Sequence, residues 1–308
     1  MTAQSRAVPA VTATVVASER SDREPFAVVD WALFGAIGII WGASFLFIKL
    51  GLEAFHPGLI TWARVGLGAV ALMAVPAARK RIERRDLGRL LQLSIIWVGI
   101  PFTLFPLAEE HINSAVTGLL NGATPFFAAI FGALFFGRVI GRAQRWGILL
   151  GFAGIALISV GSSAEGGTAI VGVLMVIAAT LCYGYATNLA GPLQRKYGSV
   201  AVMGQMLLLG ALWTMPFGIL GLTRSGFAWK ASIAVAVLGV VGTGFAFTLM
   251  GTLVGRVGGP RASLITYLMP IVSLALGAIF LSERVAAVAL VGIAIILGGA
   301  ALASRREH

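Results

Sequence analysis

The chain has 308 residues, of which 58% are hydrophobic and only 11% are charged, and its net charge is +11. A water-soluble protein carries about 25% charged residues, so this composition excludes a soluble domain and predicts a protein with many membrane spans. The positive charge does not indicate nucleic-acid binding, because the basic residues fall at the ends of apolar segments, where they orient membrane proteins. We therefore expect a lipid bilayer, and no nucleic acid, among its partners.

Residues 1–30 are polar and mixed in charge, which predicts a disordered cytoplasmic tail and not a signal peptide. Apolar segments of about 20 residues follow, the length at which a helix crosses the hydrocarbon core. The ten predicted spans are 31–50, 58–78, 87–108, 114–137, 145–162, 169–189, 200–222, 231–253, 262–281 and 286–303. Residues 304–308 are predicted to form a second cytoplasmic tail. The fold class is thus an all-α integral membrane protein.

The basic residues predict the orientation of this bundle. Of the 23 Lys and Arg residues, 18 lie in the two tails and in the connections after the even-numbered spans. The connections after the odd-numbered spans hold only Arg224, Lys230 and Arg284. Because positively charged connections remain in the cytoplasm, both termini are predicted to be cytoplasmic.

The sequence also repeats itself at an offset of 145 residues. Residues 264–284, LITYLMPIVSLALGAIFLSER, align with residues 119–139, LLNGATPFFAAIFGALFFGRV, and Pro270 falls on Pro125. The two units, 31–162 and 169–303, each hold five predicted spans. Because five is odd, the second unit enters the membrane with inverted topology, which is typical of secondary transporters with a substrate site near the midplane.

These residues resemble a known family. IIWGASFLFIKLGL (residues 39–52) and LITWARVGLGAVAL (residues 59–72) are similar to the first two helices of the EamA-type drug/metabolite transporters. The resemblance rests on Trp41-Gly42, Lys49, Arg64 and the closing LSER segment with Glu283. It implies export or exchange of small metabolites, often amino acids or their analogues, across the bacterial inner membrane. One departure is that Arg138 stands at the first repeat's counterpart of Glu283.

The positions of the acidic residues indicate whether a proton relay within the membrane is expected. All 12 Asp and Glu residues are assigned to span ends, loops or tails, as are the three His residues, so an intramembrane proton relay is not expected. This favours facilitated diffusion or exchange over a proton-coupled drug or cation exporter. An intramembrane lipid-handling enzyme would need a buried nucleophile or metal cluster. Glu109, Glu110 and His111 are set aside as a metal site because adjacent loop residues rarely converge on one ion. We expect no catalytic residue, metal or cofactor.

The candidates for a small-molecule cavity are neutral polar or aromatic residues at middle depth. They are Trp41, Ser44, Trp97, Thr103, Thr117, Asn121, Tyr183, Asn188, Thr248, Thr266 and Tyr267. Asn121 and Tyr267 are the leading candidates. The alternative is that such residues only hydrogen-bond between helices, at about 0.6 kcal/mol each.

A second set of residues is predicted to move or to gate. Prolines inside helices remove a backbone hydrogen bond and create kinks, so Pro101, Pro125 and Pro270 are hinge candidates. Three charged residues, Lys49, Arg64 and Glu283, fall near the outward face. They form an outer gate closed by an ion pair, or a basic collar that meets a carboxylate, or they extend to the membrane surface as anchors. The oligomeric state is left open.

Overall fold

The structure is a computed structural model that describes residues 25–163 and 169–303. Within these parts every regular element is helical. The α-helices are α1 (Val28–Gly42), α2 (Ser44–Leu52), α3 (Pro57–Met73), α4 (Leu87–Leu93), α5 (Ile100–Glu109), α6 (Ser114–Asn121), α7 (Thr124–Phe136), α8 (Arg142–Ser163), α9 (Ala169–Tyr197), α10 (Ser199–Leu222), α11 (Trp229–Gly239), α12 (Ala246–Val257), α13 (Gly259–Ala262), α14 (Leu268–Leu281) and α15 (Ala287–Ala303). Short 3-10 helices lie at Pro76–Arg79, Arg84–Asp86 and Ser263–Tyr267, and π-helical turns at Ser94–Gly99 and Val240–Phe245.

Seven continuous helical stretches in the described residues are long and apolar enough to cross a membrane. They are Val28–Leu52, Arg84–Glu109, Ser114–Phe136, Ala169–Tyr197, Ser199–Leu222, Trp229–Val257 and Ser263–Leu281. Two shorter apolar helices lie at Pro57–Met73 and Ala287–Gly299. The prediction of a helical membrane protein is therefore confirmed, whereas the count of ten spans and the orientation of the termini stay predictions.

The first helix begins earlier than predicted. Helix α1 starts at Val28, so Asp30, which the sequence analysis placed in the tail, lies in its first turn. The Asp30 carboxylate accepts a hydrogen bond of 2.9 Å from the backbone N–H of Ala27, which satisfies a donor that the helix start leaves free. Residues 1–24 and 304–308, the rest of the predicted tails, lie outside the described residues.

Local irregularities recur about 145 residues apart. The π-helical turns begin at Ser94 and at Val240. Helix α7 ends in a left-handed residue, Gly137 at φ 65°, and α14 ends in the same conformation at Ser282, at φ 53°. After each, the next backbone N–H closes the helix by bonding to a carbonyl six residues back, at 3.0 Å and 3.1 Å. Both halves therefore share one pattern of bends, even where Ser replaces Gly.

Helices that correspond in the two halves pack against each other and run antiparallel. The backbone of Gly154 in α8 lies against Gly292 in α15, while Gly147 lies against Gly299. From Gly147 to Gly154 along α8, the facing residue in α15 changes from Gly299 to Gly292, so the two helices point in opposite directions. Glycines allow this close backbone approach. The same holds for α3 and α10, which also meet in antiparallel order.

The core lies between the helices, and the outer surface is apolar. Phe45, Phe105 and Phe126 are almost fully buried and belong to the largest hydrophobic cluster of the described residues. By contrast, Trp146 and Leu149 of α8 are 64% and 58% exposed. Exposed side chains of this size are costly in water but suit contact with lipid, as expected for a membrane-embedded bundle.

Candidate functional site

A polar cleft of about 860 Å³ opens where α2 and α5 end, α6 begins and α14 ends. We call it the outer cleft, because the basic connections predict that this end faces outward. Its lining residues are Lys49, Leu52, Glu53, Glu109, Glu110, Asn113, Leu281, Ser282, Glu283 and Arg284. The volume lies within the range of small-molecule sites in proteins, about 300–1,000 Å³. The cleft therefore has room for a small metabolite.

Glu109 is the least expected residue of the cleft. The sequence analysis treated it as a loop residue, and this was wrong: it is the last residue of α5 and has no exposed surface. It follows Phe102 and Phe105 at helical spacing, and all three side chains share the buried face of α5. That spacing was the signal in the sequence. Neither carboxylate oxygen has a hydrogen-bond partner among the described residues.

Lys49 of α2 lies beside Glu109 without forming an ion pair with its carboxylate. The Lys49 ammonium donates a 2.5 Å hydrogen bond to the backbone carbonyl of Glu109. None of the salt bridges in the described part of the chain includes either side chain. The positive charges of Lys49 and Arg64 attract the Glu109 carboxylate, and the negative charge of Glu283 repels it. An acid and a base thus share one cleft.

The other carboxylates of the cleft are already satisfied or solvated. Glu53 pairs with Lys230 at 2.7 Å. Glu283 accepts three hydrogen bonds at the start of α6, from the backbone N–H groups of Ser114 and Ala115 at 2.9 Å and from the Ser114 hydroxyl at 3.0 Å. Glu110 is exposed to solvent. Glu109 differs from all of these.

Arg64, the second of the two basic gating candidates, lies inside the bundle and is only 6% exposed. Its Nε donates a 3.2 Å hydrogen bond to the Thr243 hydroxyl, which itself donates to the Leu238 carbonyl. The guanidinium lies 4.0 Å above the ring of Phe102, a cation–π contact. Arg64 therefore links α3 to α5 and to the second π-helical turn, and adds positive charge behind the cleft.

The predicted midplane residues form two kinds of contact. Aromatic rings meet between helices: Trp41 contacts Phe247 at 5.7 Å between centroids, and Tyr183 contacts Phe105 at 5.8 Å. Asn188 donates hydrogen bonds of 2.9 Å to the carbonyls of Ala128 and Gly184, joining α9 to α7.

Several predicted polar residues instead form hydrogen bonds with residues three or four positions away in the chain. Thr103 bonds to Gly99, Thr248 to Gly244 and Thr117 to Asn113. Asn121 receives a bond from Thr124, and Ser44 bonds to the Ile40 carbonyl. Trp97, Thr266 and Tyr267 are partly buried. The role of these eleven residues in binding stays a prediction.

Each hinge-candidate proline follows an irregular segment. Pro101 is the second residue of α5, after a π-helical turn, and Pro125 is the second residue of α7, after the break between α6 and α7. Pro270 is the third residue of α14, after a 3-10 segment. Proline suits these positions because the first turn of a helix needs no donor there. The role of these bends as hinges stays a prediction.

Ion pairs join the helices at the end opposite the outer cleft. Asp30 of α1 accepts a 2.5 Å bond from Arg256 of α12. Lys196 of α9 lies 2.7 Å from Asp86, just before α4, and 3.0 Å from Glu83. The hydrogen bond from Lys196 holds the pKa of Glu83 below its usual value. Two sets of ion pairs therefore join helices at this end, and the pair of Glu53 with Lys230 joins the end of α2 to α11 beside the outer cleft.

Comparison with known proteins assigns the fold to a family. The model of the EamA-like transporter family matches residues 30–160 and again residues 170–305. The chain belongs to the EamA-like transporter family. It is accordingly an integral membrane transporter and not an enzyme. A solved crystal structure matches this EamA-like protein with a TM-score of 0.62 over 89% of this chain and 96% of its own, at 18% identity, which shows a shared fold.

Several curated relatives cover most of this EamA-like transporter. It is 27% identical to a probable terminal-alkyne amino-acid exporter of Streptantibioticus cattleyicolor, over 90% of this chain and 93% of the relative. It is 25% identical to a probable amino-acid metabolite efflux pump of Escherichia coli, over 88% and 93%. It is 23% identical to an uncharacterized inner membrane transporter of Escherichia coli, YedA, over 80% and 81%.

Proposed function

We propose that the protein is a secondary transporter that exports small amphiphilic metabolites, most readily amino acids or their analogues, by alternating access. The outer cleft carries this proposal. It combines charged walls with the apolar side chains of Leu52 and Leu281, which suits a solute with a polar head and an apolar body. The names of two relatives, an amino-acid exporter and an amino-acid metabolite efflux pump, support the substrate class.

Alternating access needs one architecture that opens in two directions. We infer two inverted repeats, residues 31–162 and 169–303, with both termini in the cytoplasm. The antiparallel packing of corresponding helices, α8 with α15 and α3 with α10, supports the inversion. The cleft at one end and the ion pairs at the other support an outward-facing arrangement. Transport would then require the ion pairs at Asp30 and Lys196 to break as the outer cleft closes.

A second candidate function is a proton-coupled exporter of drugs or other cations. The sequence analysis disfavoured it because no buried carboxylate was expected. Glu109 is such a carboxylate, at the end of the span Arg84–Glu109. An ionisable side chain of this kind in a membrane protein marks ion pathways and proton relays. This observation keeps the coupled exporter as a candidate.

Flux in proteoliposomes tests the proposal. Vesicles would be loaded with neutral, acidic and basic amino acids or with a cationic dye, with and without an imposed proton gradient. We expect neutral amino acids to move without the gradient. Movement of the dye alone, and only with the gradient, would favour the second function.

In the same assay Asn121→Ala should lower flux severalfold while insertion stays normal, and unchanged flux would remove Asn121 from the pathway.

A further inference from the structure

We propose that Glu109 and Lys49 form a head-group site for zwitterionic α-amino acids in the outer cleft, in which Glu109 binds the ammonium group and Lys49 binds the carboxylate. The inference rests on the proposed function and assigns its substrate class to two named residues. It begins with Glu109, whose two carboxylate oxygens are buried and have no hydrogen-bond partner in the described residues.

A buried carboxylate without a partner is expensive. Removing an ionised group from water costs several kcal/mol unless hydrogen bonds or opposite charges compensate. Packing alone does not account for it, because an uncharged side chain of similar size would fill the same space without that cost. Glu109 belongs to the lining of the outer cleft, but its two carboxylate oxygens are covered, so a ligand in the cleft reaches them only when the lining shifts. A cationic donor is the ligand group that would satisfy it best.

The neighbouring carboxylates do not offer the same opportunity. Glu53 is paired with Lys230, and Glu283 is held by the start of α6. Glu110 is exposed, so water already solvates it. Only Glu109 among the four acidic residues lining the cleft combines burial with unused acceptors. A ligand ammonium would gain the most at this position.

Lys49 provides the complementary charge. Its ammonium is anchored by one hydrogen bond to the Glu109 backbone carbonyl and lines the same cleft, which leaves two of its three donors for a ligand. Because that bond goes to the backbone, the Lys49 and Glu109 charges lie close together but unpaired. An α-amino acid carries an ammonium and a carboxylate on one carbon, so its two charges match this arrangement.

Substrate analogues on the wild-type protein test the site without any mutation. Phenylalanine carries both charges, phenethylamine lacks the carboxylate, and 3-phenylpropionate lacks the ammonium. Alanine, ethylamine and propionate form the matching small series. Counterflow in proteoliposomes would give the KM or inhibition constant of each compound. We expect each zwitterion to be recognised at least tenfold better than either of its singly charged partners. Equal recognition within a series would overturn the proposal.

Variants then assign each charge to its residue. Glu109→Gln should raise the KM for phenylalanine and the inhibition constant of phenethylamine roughly 10- to 100-fold, the value of a charge-assisted hydrogen bond, and should leave 3-phenylpropionate unchanged. Lys49→Gln should raise the KM for phenylalanine and the inhibition constant of 3-phenylpropionate, and should leave phenethylamine unchanged. Arg224→Gln, which removes an exposed charge outside the cleft lining, is the control and should behave as wild type.

The outcomes separate this inference from the proposed function. If the wild-type protein moved no amino acid, both would fail. If it moved amino acids and Glu109→Gln kept the wild-type KM, only the head-group site would fail. A Glu109→Gln protein that lost dependence on a proton gradient while keeping its KM would reassign Glu109 to proton coupling. Size-exclusion chromatography checks the fold of each variant. If a variant does not fold, the analogue series on the wild-type protein still tests the head-group site.

Discussion

Glycines set how closely the helices of this protein approach one another, and Gly118 is a clear case. It lies in α6, where a Cβ atom would overlap the Oγ and Cβ atoms of Ser273 in α14 and would come within 3.0 Å of the Phe45 ring. Ser273 cannot move aside freely, because it is 2% exposed and its hydroxyl donates a 3.1 Å bond to the Ser114 carbonyl. One missing methyl group therefore allows three helices to meet.

Gly118→Ala should lower the free energy of unfolding by about 1–3 kcal/mol, because the added methyl group overpacks a tight contact. Gly66→Ala is the matched control, since a Cβ at Gly66 meets no atom within 4 Å. The control should be neutral or stabilising by up to about 1 kcal/mol, from the better helix propensity of Ala. Thermal unfolding of the purified protein in detergent measures both. Equal melting temperatures for the two variants would contradict the packing argument.

At the scale of secondary structure elements, the start of α6 depends on a side chain from the other end of the chain. Asn113 precedes the helix, but its side chain makes no capping bond to it. The Glu283 carboxylate, after the end of α14, accepts from the two free backbone N–H groups of Ser114 and Ala115. A negative charge is favourable at a helix N-terminus, where the N–H dipoles point. This contact joins the two halves beside the outer cleft.

Glu283→Ala should therefore lower the free energy of unfolding by about 1–2 kcal/mol, as expected for the loss of a capping side chain. Glu283→Gln should cost less, because its amide oxygen still accepts a hydrogen bond. Glu110→Ala, which removes an exposed carboxylate from the same cleft, is the control. The measurement is the melting temperature in detergent. If the Glu283→Ala and Glu110→Ala proteins had the same melting temperature, the cap would make no contribution to stability.

At the scale of the whole molecule, the distribution of basic residues predicts how the bundle lies in the membrane. Eighteen of the 23 Lys and Arg residues belong to one set of connections and tails, and three to the other. The outer cleft lies at the end with few basic connections, and the ion pairs of Lys196 and Arg256 lie at the other. Orientation thus decides which side of the membrane the cleft faces.

Labelling of single cysteines by a membrane-impermeant maleimide tests this orientation. The background is Cys182→Ser, which removes the one native cysteine. Glu110 and Arg81 are both exposed, at opposite ends of the bundle. We expect Glu110→Cys to react in intact cells and Arg81→Cys to react only after permeabilisation. The reverse labelling pattern would show that the protein has the opposite orientation and that the cleft opens to the cytoplasm.

The sequence alone determined the class of protein. Apolar runs and clustered charges are one-dimensional signals, because a bilayer forces the backbone to form helices wherever the chain stays apolar for long enough. The family followed from the same stretches, such as Trp41-Gly42 and the LSER segment, and the family match confirmed it. The offset of 145 residues also relates the left-handed helix ends that the structure shows at Gly137 and Ser282. The number of spans and their inversion remain predictions.

Only the tertiary structure decided which side chains face one another. Glu109 ends an apolar run next to a second glutamate, and along the chain the two are alike. They differ because α5 places the Glu109 side chain on its buried face and leaves Glu110 exposed. Arg64 at Phe102 and Glu283 at Ser114 likewise depend on helices distant in sequence. The physical reason is that the electrostatic cost or gain of a charge depends on its neighbours in space, and helix packing sets those neighbours.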